Sequence, residues 1–189
     1  MASDEDKNRN EGEQPGTEAA AETGKTTAMV DEPLPRKVYQ DDFRPGRGNA
    51  LQAAVASVFG SDLADVPNFV ERPEGYESAI EMFCRNRNYS CEKRKLPAEG
   101  SGVGGTQGPP PSGQRRRLCL LRGKSPRGPF GHVVIARTSV SGPECVHRGA
   151  VFEMVHDPHP DESFLDESEP FGWCMFFTPI EEQATQLTS

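Results

Sequence analysis

Two periods run through the apolar positions of the chain. Between Asn49 and Gly60, Leu51, Ala54, Val55 and Val58 recur at the spacing of one helix face. Asn49 stands where an N-cap belongs and Gly60 where a helix ends. The same stretch is rich in small residues, Ala53, Ala54, Ala56 and Ser57, so other elements can approach this helix closely on several sides. That pattern predicts a central, buried helix. A short turn, DLADVPNF, follows, with Ser61 or Asp62 as its cap and Pro67 closing it. A second helix is expected from about Gly75, in YESAIEMFCRNRN, with Tyr76, Ile80, Phe83 and Cys84 on one face. The period then changes. YSCEKRKL alternates like an edge strand. RRRLCLLRG, FGHVVIARTSV, AVFEMVHDP and GWCMFFTPI are short apolar or alternating runs bounded by Gly or Pro, and each reads as a strand. Helices first and strands second predict an α+β fold, a central N-terminal helix packed on an antiparallel β-sheet.

The pattern breaks down in three places. Residues 1–35 hold nine acidic and three basic residues and no aromatic, too little apolar area to offset ordering entropy. They read as a disordered acidic tail. PAEGSGVGGTQGPPPSGQ, residues 97–114, reads as a flexible Gly/Pro insertion within a domain spanning 36–180. Residues 181–189 read as a frayed tail.

Composition narrows the function classes. A net charge of -8 argues against general nucleic-acid binding. The five cysteines include no CxxC pair, so neither a disulfide framework nor a zinc site is expected. Cys84, Cys119 and Cys174 fall in apolar surroundings and read as inert; Cys91 and Cys145 read as more exposed. No apolar run reaches the roughly 18 residues of a membrane span, and the N-terminus lacks the layout of a signal peptide. A cytoplasmic setting is the expectation.

Chemistry-bearing residues cluster among the strands. His132 opens the run GHVVIAR, and Asp157 ends the next strand in VHDPHP. On neighbouring strands the carboxylate would fix the imidazole tautomer and raise its basicity. The position that such a pair would serve is the start of the first helix, where the dipole lowers a thiol pKa. Ala50 is there. His156 and His159 flank Asp157, but Pro158 and Pro160 favour a rigid turn over a metal site, and no cofactor is called for. Arg127, in KSPRG, either meets an anionic substrate at a cleft mouth or belongs to a β-turn. Arg115, Arg116 and Arg117 read as a solvated strand start, and Trp173 as core.

Five short elements stand in order: Gln40, GNALQAAVASVFG at 48–60, DVPNF at 65–69, SPRGPFGHVVIAR at 125–137 and VHDPHP at 155–160. In these the sequence resembles the papain-like cysteine hydrolase superfamily, and more closely its bacterial and phage branch related to bacteriocin-leader-cleaving peptidases. The likeness spans most of residues 38–177. It implies a papain-like fold and a Cys–His–Asp peptidase acting on a peptide or protein. By position, Ala50 takes the place of the nucleophilic cysteine, His132 matches the general base and Asp157 its orienting partner. Gln40 matches the oxyanion glutamine, with the backbone N–H of residue 50 as second donor. Asn49, Arg127 and Gly131 are the candidate substrate-binding residues. The departure is the absent thiol. A Cys→Ala replacement and a natural loss both leave the site shape intact. The first describes a thiol hydrolase stripped of its nucleophile, the second a pseudoenzyme that keeps the cleft to bind a peptide or protein. An interaction protein recruiting through its tail and Pro-rich insertion is a third possibility, although PPPSG is short for a polyproline ligand.

Overall fold

In the computed structural model, residues 32–44, 46–97, 116–138 and 152–180 are described. Most of the acidic tail, nearly all of the Gly/Pro insertion, the C-terminal tail and Cys145 lie outside them.

Helix α1 (Ala50–Phe59) forms where the 3.6-residue period placed it. Leu51 and Ala53 through Ser57 are all buried. Methyl side chains let the backbone lie close to its neighbours, and they lose little rotamer entropy on burial. The one hydroxyl among them is satisfied: Ser57 Oγ accepts from Val38 N–H at 3.0 Å and donates to Ala53 O at 2.9 Å. Val38 thereby stitches the incoming extended segment onto the helix. Two short 3₁₀ turns, Leu63–Asp65 and Phe69–Glu71, follow. Gln52 holds the first of them to α1 through its amide, which donates to Leu63 O and Val66 O. Helix α2 (Tyr76–Arg85) buries Ala79, Ile80, Phe83 and Cys84 and leaves its other face wet.

The five strands are β1 (Tyr89–Lys95), β2 (Arg117–Lys124), β3 (Gly131–Thr138), β4 (Phe152–His156) and β5 (Trp173–Pro179). They form one sheet in the order β1-β5-β2-β3-β4, and every neighbouring pair is antiparallel. The protein is therefore α+β with an antiparallel five-stranded sheet. Strand β1 lies at an edge, as its alternation predicts.

Period-2 alternation sorts the strand residues onto two faces. Leu120, Val133, Ile135, Trp173, Met175 and Phe177 pack with α1 and α2. Cys119, Val134, Cys174 and Phe176 pack on the opposite face, which Leu165 and Phe171 of the connection into β5 cover. This burial puts Cys84, Cys119 and Cys174 out of reach of solvent, while Cys91 is half-buried. Trp173 is core, stacked on Tyr76 with centroids 6.2 Å apart.

Glu32, assigned from composition to the unpacked tail, is instead tied to the sheet. Its carboxylate accepts Leu118 N–H at 2.6 Å, and its carbonyl accepts from Arg137. An otherwise open backbone donor overrides the acidic composition of the segment. Arg116 pairs with Glu153, and Arg117 donates to Thr178 Oγ1 and Phe177 O, so two of the three consecutive arginines are engaged with β4 and β5. No helix among the described residues is long and apolar enough to cross a membrane.

Candidate active site

The N-terminus of α1 is set by the loop before it. Gly48 N–H donates to Arg44 O at 2.7 Å, and Asn49 N–H to Asp42 O at 3.1 Å. A Cβ at Gly48 would lie 2.9 Å from Asp42 O, so only glycine permits this close return. Asn49 occupies the cap position but makes no side-chain cap bond to α1. Its Oδ1 accepts the N–H groups of Asp41 and Asp42, and its Nδ2 donates to Asp41 Oδ1 and Gln52 Oε1. The expected side-chain cap is corrected. Asn49 is buried, outside the cleft lining, and its hydrogen-bonding capacity goes to holding the 41–42 backbone. The helix N-terminus thus stays free of a capping side chain. Ala50 is its first residue.

Strands β3 and β4 deliver the other half. A register shift between Ile135 and Ala136 bends their pairing just before β4 ends, and the chain emerges at Asp157. His132 Nε2 lies 2.6 Å from Asp157 Oδ1. Asp157 is completely buried, and His132 is 6% exposed. The carboxylate also accepts His159 N–H at Oδ1 and Phe164 N–H at Oδ2, both at 2.8 Å. Arg127 Nη1 stands 3.5 Å from Oδ2. Burial pushes the Asp157 pKa up, but these donors, led by His132, outweigh it and hold the group below its ordinary value of 3.8. Asp157 is therefore an acceptor, and neutral His132 must carry its proton on Nε2. Nδ1 is left with the lone pair, and no described residue hydrogen-bonds to it.

The loop that wraps Asp157 is strained. Glu162 and Phe164 have φ of 50° and 58°, the left-handed region that such side chains seldom adopt. It is pinned on its outer side by Glu162, which accepts from Lys37 Nζ at 2.7 Å and Tyr39 Oη at 3.0 Å. His156, beside Asp157, turns its Nε2 to Val38 O at 3.0 Å, which makes it a structural link to the segment ahead of α1. His159 pairs with Asp161 at 2.9 Å, and its ring meets Phe43 edge-on.

Between the two halves lies a cleft of about 550 Å³. Ala50, Gln40, His132 and Gly131 all line it. Gln40 is fixed by its own N–H to Pro158 O, and its Nε2 donates to Asp42 O at 3.2 Å. One amide hydrogen of that Nε2 remains unused by any described partner. Arg127 lines the cleft as well, but its charge is already engaged. It pairs with Asp161 at 2.7 Å, contacts Ser163 Oγ and faces Asp157. Three acceptors of its own chain surround Nη1, while Nη2 is buried with no hydrogen-bond partner among the described residues. Phe43, Val70, Tyr76, Phe130 and Trp173 give the cleft its apolar and aromatic wall.

The sequence reading singled out His132, Asp157, Gln40 and position 50. It passed over Arg122, Lys93 and the Tyr76–Trp173 stack, which also line the cleft. A signal for Arg122 was present. Leu118, Leu120 and Arg122 share one face of β2, so a lone cation ends an apolar stripe aimed at the helices.

As chemistry, the arrangement is a buried carboxylate, an imidazole whose free nitrogen is an acceptor, and a helix N-terminus beside an amide donor. Position 50 itself carries a methyl group and no reactive atom. Comparison with protein-family models, with curated proteins and with solved structures finds no match to this chain.

Proposed function

We propose that the cleft is a papain-like thiol-hydrolase site for an amide bond, with a methyl group where the nucleophile belongs. As written, the chain holds a peptide or protein segment there and does not cleave it. The observation that carries this reading is that Ala50, Gln40 and His132 line one cleft while Asp157 sits 2.6 Å behind His132. The helix start and the strand pair are about 80 residues apart in sequence, and the packing of α1 on β3 brings them to one cavity wall.

Each group has a role in that reading. A thiol at position 50 would sit at the positive end of α1, which favours thiolate. His132 Nδ1 would take its proton, and Asp157, a positioning residue, would steady the imidazolium. Attack on the carbonyl carbon would form the acyl-enzyme, and the Gln40 amide with the residue-50 N–H would receive the oxyanion. His132 would hand its proton to the departing amine, and water would then release the acyl group. With alanine the sequence stops at binding, because no thioester can form.

The binding-module reading has its own observation, which is Ala50 itself. It keeps the donors, the imidazole and the aromatic walls and removes only the covalent step. Ala50→Cys tests the shared premise. Iodoacetamide at pH 6 should label that thiol far faster than a free thiol, and His132→Ala should remove the advantage. Ordinary slow labelling, indifferent to His132, would leave only the binding module.

A further inference from the structure

Arg44, Lys93, Arg122 and Arg127 line the cleft, and among the described residues no Asp or Glu does. Three of these cations are already matched. Arg44 grips Asp42 through Nε and Nη2, Lys93 pairs with Glu77, and Arg127 pairs with Asp161. Arg122 is exposed, and no described residue forms a hydrogen bond or ion pair with its guanidinium.

Its place is nonetheless tightly defined. On β2, Arg122 sits opposite Val133 of β3 and Trp173 of β5, on the helix-facing side of the sheet. Its side chain lies across Gly131, the residue before His132. A Cβ at Gly131 would fall 2.3 Å from Nη2 and 2.6 Å from Cζ. On the other side, a Cβ at Gly172 would lie 3.3 Å from Nη1. Two glycines thus leave a slot for a flat guanidinium, whose fork of donors suits a carboxylate.

We infer that Arg122 receives a ligand carboxylate, so that the cleft selects peptides carrying an acidic group next to the amide held at Ala50 and His132. This rests on the reading of the cleft given above. The arrangement decides the charge class by subtraction. The neighbouring cations have their counter-ions within the chain, the N-terminus of α1 adds positive potential, and no cleft carboxylate opposes it. Tyr76 and Trp173 supply an apolar wall for the stem of the acidic group. The carboxylate belongs to a Glu or Asp side chain or to a peptide C-terminus, and the same test separates the two.

The test uses the full chain carrying Ala50→Cys and four affinity reagents. N-iodoacetyl-glutamic acid α-amide and N-iodoacetyl-glutaminamide differ only in a side-chain carboxylate. N-iodoacetyl-alanine and its amide differ only in a terminal one. Labelling at position 50 is followed by peptide mass spectrometry, and each rate is divided by that of N-acetylcysteinamide. In at least one pair the acid should label about 3- to 5-fold faster than its amide, the worth of one solvent-exposed ion pair. The pair showing the preference names the source of the carboxylate. Arg122→Gln should bring that ratio close to unity, and Arg122→Lys should retain part of it. Ratios near unity in the parent, or a preference that survives Arg122→Gln, would overturn the inference. Iodoacetamide, which carries no charge, reads the other premise separately. His132-dependent labelling without an acid preference sinks only the Arg122 inference. An Arg122-dependent acid preference without His132 dependence sinks only the hydrolase reading.

Discussion

The buried carboxylate of Asp157 is the residue on which the site's geometry turns. It accepts His132, His159 N–H and Phe164 N–H, and the last two close a loop containing left-handed Glu162 and Phe164. Its pKa is held below 3.8 in the fold, so the stabilisation is full above the unfolded value and is lost as pH falls through the lower folded one. Asp157→Asn should therefore lower stability at pH 7 by about 2 to 4 kcal/mol. It should also flatten the acid limb of a urea-melt series below about pH 4. An acid limb as steep as the parent's would contradict this account of the carboxylate. His132, Asp157 and position 50 were legible because each sits at the end of a strongly patterned element. The hydrogen-bond partners of Asn49 and Arg127 were not. Those partners, at 41–42 and at 157–163, come from irregular loops that no period describes.

At the scale of elements, α1 and the loop before it behave as one unit. Asn49 joins them with four hydrogen bonds, to two backbone N–H groups and two side chains. Asn49→Ala should cost about 1 to 2 kcal/mol in chemical denaturation, through part-buried donors at Asp41 and Asp42 left without their acceptor rather than through a lost cap. A loss under half a kcal/mol would show that the loop is held by other means. Both α-helices and all five strands follow from the hydrophobic pattern, α2 from its single buried face and β2, β3 and β5 from short apolar runs packed on both sides of the sheet. The sheet order does not follow. Nothing in the pattern tells β5 to insert between β1 and β2, because its pairing depends on long-range closure. For the same reason, composition left Glu32 in a tail when it is bonded to β2 and β3.

Across the whole molecule, an acidic chain of net charge -8 carries a cleft lined by cations and no carboxylate among its described residues. His156 is buried, and its Nε2 bonds Val38 O across 118 residues. Burial pushes the His156 pKa below its ordinary 6.5, so the fold holds it neutral. The unfolded chain binds that proton first, and stability should decline as pH falls below about 6.5. A melting midpoint that drops from pH 7 to pH 5, less steeply in His156→Gln, would bear this out; identical slopes would not. The central claim is that position 50 and His132 form one chemical unit. It is tested most directly by the pH dependence of iodoacetamide labelling at the thiol of Ala50→Cys. The account predicts a titration midpoint well below 7, moving to the ordinary thiol value of about 8.5 when His132→Ala is added. A midpoint near 8.5 with or without His132 would contradict it.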